Sequence, residues 1–324
     1  MPPEPSAGQA PESSSEAAGR QAYASPSPPE APPDRPETAA ALRRRLADHL
    51  AGAGAVRTDA VRAAFLAVPR EAFVPEAAAA GGLAAVYEDV PVVTRRDPAG
   101  IPLSSSSQPA IMAVMLELLG CRPGDRVLEI GAGTGYNAAL LAHIVGPGGR
   151  VVTVDLDEAV AAEASEHLAA AGAAGVEVVA GDGRAGVAAG APYDRIVATA
   201  STPTVPAAWV DQLAPGGTLV APVWLDGRAD RQVVAAFRRD GPGLRSTAVV
   251  PGGFMVLRGT GPFVPPDVGE VHAGWRAAGR SSTARITGDV VGRMRPAARR
   301  RLVAVLAEEP RRLRRRPPER LSLA

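Results

Sequence analysis

Three glycines at alternate positions, Gly131, Gly133 and Gly135, sit inside the run Val127-Leu-Glu-Ile-Gly-Ala-Gly-Thr-Gly-Tyr136. An apolar strand runs straight into this loop and a helical stretch follows it. Glycine there lets the backbone pass close to a ligand with no Cβ in the way. Twenty residues beyond Gly135 a second apolar run ends in Val154-Asp155. A carboxylate at that strand end is placed to accept hydrogen bonds from ribose hydroxyls. A glycine trio alone is a weak signal; the strand before it and the acidic residue after it make it a strong one.

The spacing narrows the ligand. A dinucleotide site reads G-x-G-x-x-G, and its helix N-terminus faces a pyrophosphate. Here the spacing is G-x-G-x-G, preceded by Glu129. S-adenosylmethionine has no phosphate; its charged parts are an amino-acid moiety and a sulfonium. The pattern predicts S-adenosylmethionine as cofactor, bound by Glu129, Gly131, Gly133, Gly135 and Asp155, ahead of a nucleotide-binding dehydrogenase. Ala180-Gly-Asp182-Gly183 follows the third strand. Asp182 is positioned for an adenine amino group and Gly183 permits close approach, although Asp-Gly is also an ordinary turn. Thr199-Ala200 lies at the end of the fourth strand, where ligands sit in open α/β sheets.

The elements that must position these residues read as an alternation. Strands are expected at about Arg126–Ile130, Arg150–Val154, Val176–Ala180, Arg195–Thr199 and Thr218–Val223. Helices are expected between them at about Tyr136–Val145, Glu158–Ala171 and Pro206–Leu213. This implies a Rossmann-like α/β fold, a mostly parallel sheet with helices on both faces. Gln232–Arg238, Thr247–Val250 and Phe254–Leu257 read as later strands at one edge. Ahead of the sheet, a helix is expected at about Ala39–Ala51. A second runs from an N-cap at Thr58 to the stop at Pro69, and a third follows Ser107, a cap candidate, with Pro109 in its first turn.

Composition bounds the rest. Residues 1–38 are rich in Pro, Ser, Glu and Ala and predict a disordered segment; 39–264 form the methyltransferase domain. Residues 265–324 form an Arg-rich extension with a helix at about Ala297–Glu308. No apolar run reaches the ~18 to 20 residues of a membrane span. Cys121 is the single cysteine, which excludes an intrachain disulfide or a thiolate zinc cluster, and it reads as a structural thiol. The four histidines show no ligand spacing, so no metal is expected. These features favour the cytoplasm. The basic tail suggests nucleic acid or an acidic peptide as a partner, but it lacks interleaved aromatics and reads as a solvated tail. A nucleic-acid-binding protein with a vestigial cofactor site is the alternative of another class; the intact glycine loop, Asp155 and Asp182 argue against it.

The chain closely resembles the protein-L-isoaspartate O-methyltransferase family over about Val61 to Leu257. The resemblance rests on Val68-Pro-Arg-Glu-Ala-Phe-Val-Pro75, Tyr87-Glu-Asp89, Ser107-Gln-Pro109, the glycine loop, Gly181-Asp-Gly-Arg184 and Ala191-Pro-Tyr-Asp194. It implies methylation of the carboxylate of isoaspartyl residues in proteins or peptides. Ser107 then matches the active-site serine, with Ser104, Ser105 and Ser106 as near alternatives. Two stretches depart from the family, Val93–Ser107 and Phe254-Met-Val-Leu257. Both fall on the side where the family holds peptide. The altered pattern also resembles relatives that methylate aspartate in ribosomally made, modified peptides. Arg95-Arg96 is either an attractor for an acidic peptide or a solvated loop. Trp209 is expected in the core or at its rim.

Overall fold

The computed structural model describes residues 37–260 apart from 174, 226 and 227. The readings made for residues 1–36 and beyond 260, including the C-terminal helix, lie outside the described residues.

Three helices lead the chain: α1 (Ala39–Gly52), α2 (Asp59–Ala67) and α3 (Pro75–Val86). Thr58 caps α2 as expected, its hydroxyl accepting from the Val61 N–H. Helix α3 was not foreseen. Its Ala- and Gly-rich sequence carries little apolar periodicity, it kinks at Gly82 (φ 77°), and of its residues only Val86 is buried. A hairpin follows, β1 (Val92–Arg96) and β2 (Pro102–Ser106), forming its own two-stranded sheet. Then come α4 (Pro109–Leu119), β3 (Arg126–Ile130), α5 (Tyr136–Val145), β4 (Arg150–Asp155), α6 (Glu158–Ala170) and β5 (Glu177–Ala180). The described chain ends with β6 (Tyr193–Ala198), α7 (Ala207–Gln212), β7 (Leu213–Leu225), β8 (Arg228–Asp240) and β9 (Gly243–Pro251).

The main sheet has the order β5-β4-β3-β6-β7-β8-β9. Strands β3 to β7 pair in parallel, whereas β8 and β9 add antiparallel at one edge. Successive residues of a strand face opposite sides, and the core divides accordingly. Val127, Val151 and Val197 pack under the helices that carry Leu46, Phe65 and Leu116. Leu128, Val152 and Ile196 pack on the other face with Trp209 and Phe237. The expected strand at Phe254–Leu257 is instead a single parallel bridge, Ser201 to Val256. Gln232 holds Phe254 from both sides and Ser201 holds Met255 and Leu257, so this segment is fixed without a ladder.

Strand β3 has β4 on one side and β6 on the other. Their chain connections run in opposite directions, so the carboxyl ends of β3 and β6 flank the crevice where ligands bind in such sheets.

Candidate active site

The glycine loop and Thr199 meet at that crevice. Gly131 has φ 96°, and a Cβ there would overlap the Thr199 hydroxyl. That hydroxyl donates to the Ile130 and Gly131 carbonyls at 3.0 and 2.8 Å. Thr199 therefore shapes the loop from behind as well as lining the cleft. Gly133 has φ 52°, and its N–H donates to Asp155 Oδ2 at 3.1 Å. A Cβ on Gly133 would sit 3.3 Å from the Ser105 carbonyl. Strand β2 thus lies directly against the glycine loop, which brings the serine cluster beside Gly133. Asp155 also accepts from the Asp157 N–H. A carboxylate has about four acceptor positions, so capacity remains for ribose hydroxyls.

Gly183 is buried against Ile130, and its carbonyl accepts from Trp209 Nε1 at 2.8 Å. Gln212 grips the same loop through Ala185 and Val187. Trp209 is fully buried, which places it in the core.

Three expected residues sit differently from a simple ligand shell. Gly135 does not line the cleft; it starts α5 and packs on Ala164. Asp182 also lies outside the lining, engaged by Arg184 and by the backbone N–H and hydroxyl of Thr260. The Arg184 guanidinium holds its carboxyl well below the usual range. Glu129 is fully buried and bridges Thr153 Oγ1 and Asn137 Nδ2, both at 2.7 Å. It locks β3, β4 and α5 together beneath the loop.

Burial pushes the Glu129 carboxyl up to about 7, against the two hydrogen bonds that lower it and with Asp155 raising it further. The folded chain therefore holds the Glu129 proton well above the ordinary carboxyl range. Between the ordinary carboxyl range and pH 7 the folded state holds the extra proton, so stability falls as pH rises through that window. Glu129→Gln keeps both contacts in neutral form. We expect the variant to be more stable than wild type by about 1–3 kcal/mol at pH 8, with the gain vanishing near pH 5. Urea titrations across this range measure it; a gain that does not change with pH would show that Glu129 is not the titrating group.

The expected cap at Ser107 is corrected. Helix α4 begins after Gln108, which has no side-chain cap bond of its own. Asp89 caps the helix from a distance, its Oδ1 accepting from the Ala110 N–H at 2.8 Å. Gln108 Nε2 returns a bond to Asp89 Oδ2 at 3.1 Å. Ser107 is half-buried in the cleft lining, and its hydroxyl has no partner among the described residues. Ser106 Oγ is buried without a partner as well.

Arg70 was quoted for the resemblance but given no role. It is fully buried. Its Nη1 donates to the Glu88 carbonyl at 3.0 Å, and its Nη2 to those of Val90 at 3.0 Å and Ser107 at 3.3 Å. The guanidinium lies over the Tyr136 ring, 5.9 Å from its centroid. The signal was present in Val68–Pro75, where Arg70 and Glu71 interrupt an otherwise apolar run. Its three acceptors are 18, 20 and 37 residues away and only the fold gathers them. His49 is a second addition: it lines the cleft 4.0 Å from Asp89. Arg95 is paired with Glu163 of α6, and Arg96 donates to the Gly100 carbonyl at 2.8 Å. Both tie down the hairpin.

A parallel sheet with a glycine-rich crevice at its switch point, an acidic residue closing the next strand and no room for a Cβ at Gly131 together define a class I S-adenosylmethionine-dependent methyltransferase. A model of the Protein-L-isoaspartate(D-aspartate) O-methyltransferase family matches residues 41–257. The chain belongs to that family. It is 43% identical over 218 residues to the protein-L-isoaspartate O-methyltransferase of Methanoregula boonei, covering 67% of this chain and 93% of the relative. It is 39% identical to that of Hyperthermus butylicus, covering 67% and 88%. A solved protein-L-isoaspartate O-methyltransferase superposes with a TM-score of 0.61 at 35% identity, covering 67% of this chain and 66% of the other. A Plasmodium falciparum structure in complex with S-adenosyl-L-homocysteine shares the fold at a TM-score of 0.56 and 19% identity.

Proposed function

We propose that this chain is a repair-type enzyme in which Ser107 orients the acceptor carboxylate and Gly131, Gly133, Asp155, Gly183 and Thr199 hold the cofactor. The reaction moves a methyl group from S-adenosylmethionine to the carboxylate of an L-isoaspartyl residue. One observation carries the assignment of Ser107: Asp89 has taken over the capping of α4, so the serine hydroxyl is left to face the cleft.

When bound, S-adenosylmethionine supplies an electrophilic methyl group on a sulfonium. A carboxylate with a pKa near 4 is already ionised at neutral pH, so the chain needs no general base. Its task is to place the carboxylate oxygen in line and to exclude water. Ser107 donates to the carboxylate, and Arg70 holds the Ser107 carbonyl so that the hydroxyl stays aimed. Glu129 serves from below by fixing the loop, and Asp182 would hold the adenine side of the cofactor if its bonds to Arg184 and Thr260 opened.

Asp155→Ala should weaken S-adenosylmethionine binding by about 1.5–3 kcal/mol, the scale of losing hydrogen bonds to a charged group. Titration calorimetry reads this directly. Wild-type affinity in the variant would remove Asp155 from the site.

Action on many proteins and a cytoplasmic location belong to the same proposal. The support for action on many proteins is the match of residues 41–257 to the protein-L-isoaspartate(D-aspartate) O-methyltransferase family model. The cytoplasm fits a sequence whose single cysteine, Cys121, is a free thiol. No helix among the described residues is long and apolar enough to cross a membrane. The test offers a short isoaspartyl peptide and its aspartyl twin with labelled S-adenosylmethionine. Labelling of the isoaspartyl peptide alone is expected. If neither is labelled while the cofactor binds, a dedicated peptide substrate replaces the repair reading.

A further inference from the structure

Among the described residues, the large hydrophobic side chains that stand exposed are Val90, Val93, Ile101 and Met255, at 42, 37, 59 and 37%. All four line the cleft that contains Ser107 and Asp155. A scattered exposed hydrophobic needs no explanation, but a set gathered at one mouth marks a binding surface. They come from three separate segments, and each is held by backbone bonds. Arg70 grips the Val90 carbonyl. The Ile101 N–H donates to Asp97 Oδ1 at 2.8 Å. The Met255 carbonyl accepts from the Ser201 N–H at 2.7 Å.

We propose that these residues form an apolar seat for a side chain of the acceptor polypeptide next to the methylated residue. The enzyme thereby selects isoaspartyl sites flanked by an aliphatic or aromatic residue. This rests on the isoaspartyl reading above. The occupant follows from continuity with the acceptor position. Val93 pairs with Ser105 across the hairpin, two residues before Ser107. At about 3.3 Å per residue that is about 7 Å, the reach of one or two residues of extended peptide. A seated apolar side chain also closes the mouth to water, which the transfer requires.

The test is a set of isoaspartyl peptides varied to Ser, Leu, Phe or Glu at the two positions on either side of the acceptor. Leu or Phe at one of them should raise kcat/KM about five- to twentyfold over Ser, chiefly through KM. In Ile101→Ser and Val93→Ser, both at exposed positions, the leucine-to-serine ratio should fall to within about twofold of one. Equal kcat/KM across the set in wild type, or a preference that survives both substitutions, overturns the proposal. So does a stable dimer that Ile101→Ser splits while peptides remain indistinguishable, which would give the seat to a second copy of the chain. If no peptide is methylated, the isoaspartyl reading fails and the seat is judged by binding alone. With S-adenosylhomocysteine present, fluorescence anisotropy should then still favour the leucine peptide at least about threefold, and equal affinities overturn the seat.

Discussion

Replacing Ser107 with alanine should lower kcat by about 30- to 300-fold while leaving S-adenosylmethionine affinity within about twofold of wild type. The proposed role makes the effect large: the hydroxyl would act on the acceptor during transfer, and it has no hydrogen-bond partner among the described residues. Its carbonyl is held by Arg70, a contact that alanine keeps. Helix α4 is capped by Asp89, so the substitution should cost well under about 0.5 kcal/mol of stability. Asp89→Ala, by contrast, should cost about 1 kcal/mol or more, since it removes the cap and the Gln108 bond together. The neighbouring serines provide the control. Ser106 Oγ is buried without a partner, and Ser105 meets the glycine loop through its carbonyl. Alanine at either position should keep kcat within about threefold. Single-turnover kinetics with saturating cofactor separate the transfer step from binding. Wild-type turnover in the Ser107 variant would return the serine to a bystander role, and a larger loss at Ser105 or Ser106 would move the assignment.

The two sides of the site differed in how far they could be read from sequence, and the reason is topological. The cofactor side is one supersecondary unit. The strand Arg126–Ile130, the glycine loop and the helix Tyr136–Val145 were expected with the bounds they have, because each step depends on neighbours a few residues away. Asp155 follows at the end of the adjacent parallel strand, a spacing that the unit itself imposes. The acceptor side is assembled from distant pieces. The hairpin Val92–Arg96 with Pro102–Ser106 has no strict apolar alternation, since its order comes from packing β2 on Gly133 and pairing Arg95 with Glu163. The Ser107 cap was misassigned because a serine before proline fits a local rule, while the real cap, Asp89, lies about twenty residues upstream. Glu129 looked like a ligand by position, yet its depth could not be seen until Asn137 and Thr153 were placed around it.

Arg70 makes the sharpest case for reading the acceptor wall from the fold. Arg70→Ala should lose about 3–5 kcal/mol of stability, as a large buried side chain and three charge-assisted hydrogen bonds go at once. The arginine is not paired to a carboxylate; its acceptors are three backbone carbonyls, and its lower face rests on Tyr136. Burial lowers its pKa, but a guanidinium stays charged at any working pH. Its Nε has no partner among the described residues. The cost of that buried cation is recovered when it is removed, so Arg70→Met, which fills the space, should lose only about 1–3 kcal/mol. Arg70→Lys should fall between the two, because one ammonium cannot span carbonyls contributed by Glu88, Val90 and Ser107 as the planar fork does. Stability alone would leave Arg70 a core residue. The separating measurement is kinetic: at a temperature where the methionine variant is fully folded, cofactor affinity should stay within about twofold while the KM for an isoaspartyl peptide rises about tenfold and kcat falls less. That split follows from what Arg70 holds, the carbonyl of Ser107 and the lip at Val90, both on the acceptor side of the cleft. If cofactor and peptide binding weaken in equal measure, the arginine supports the whole domain and does not position the acceptor.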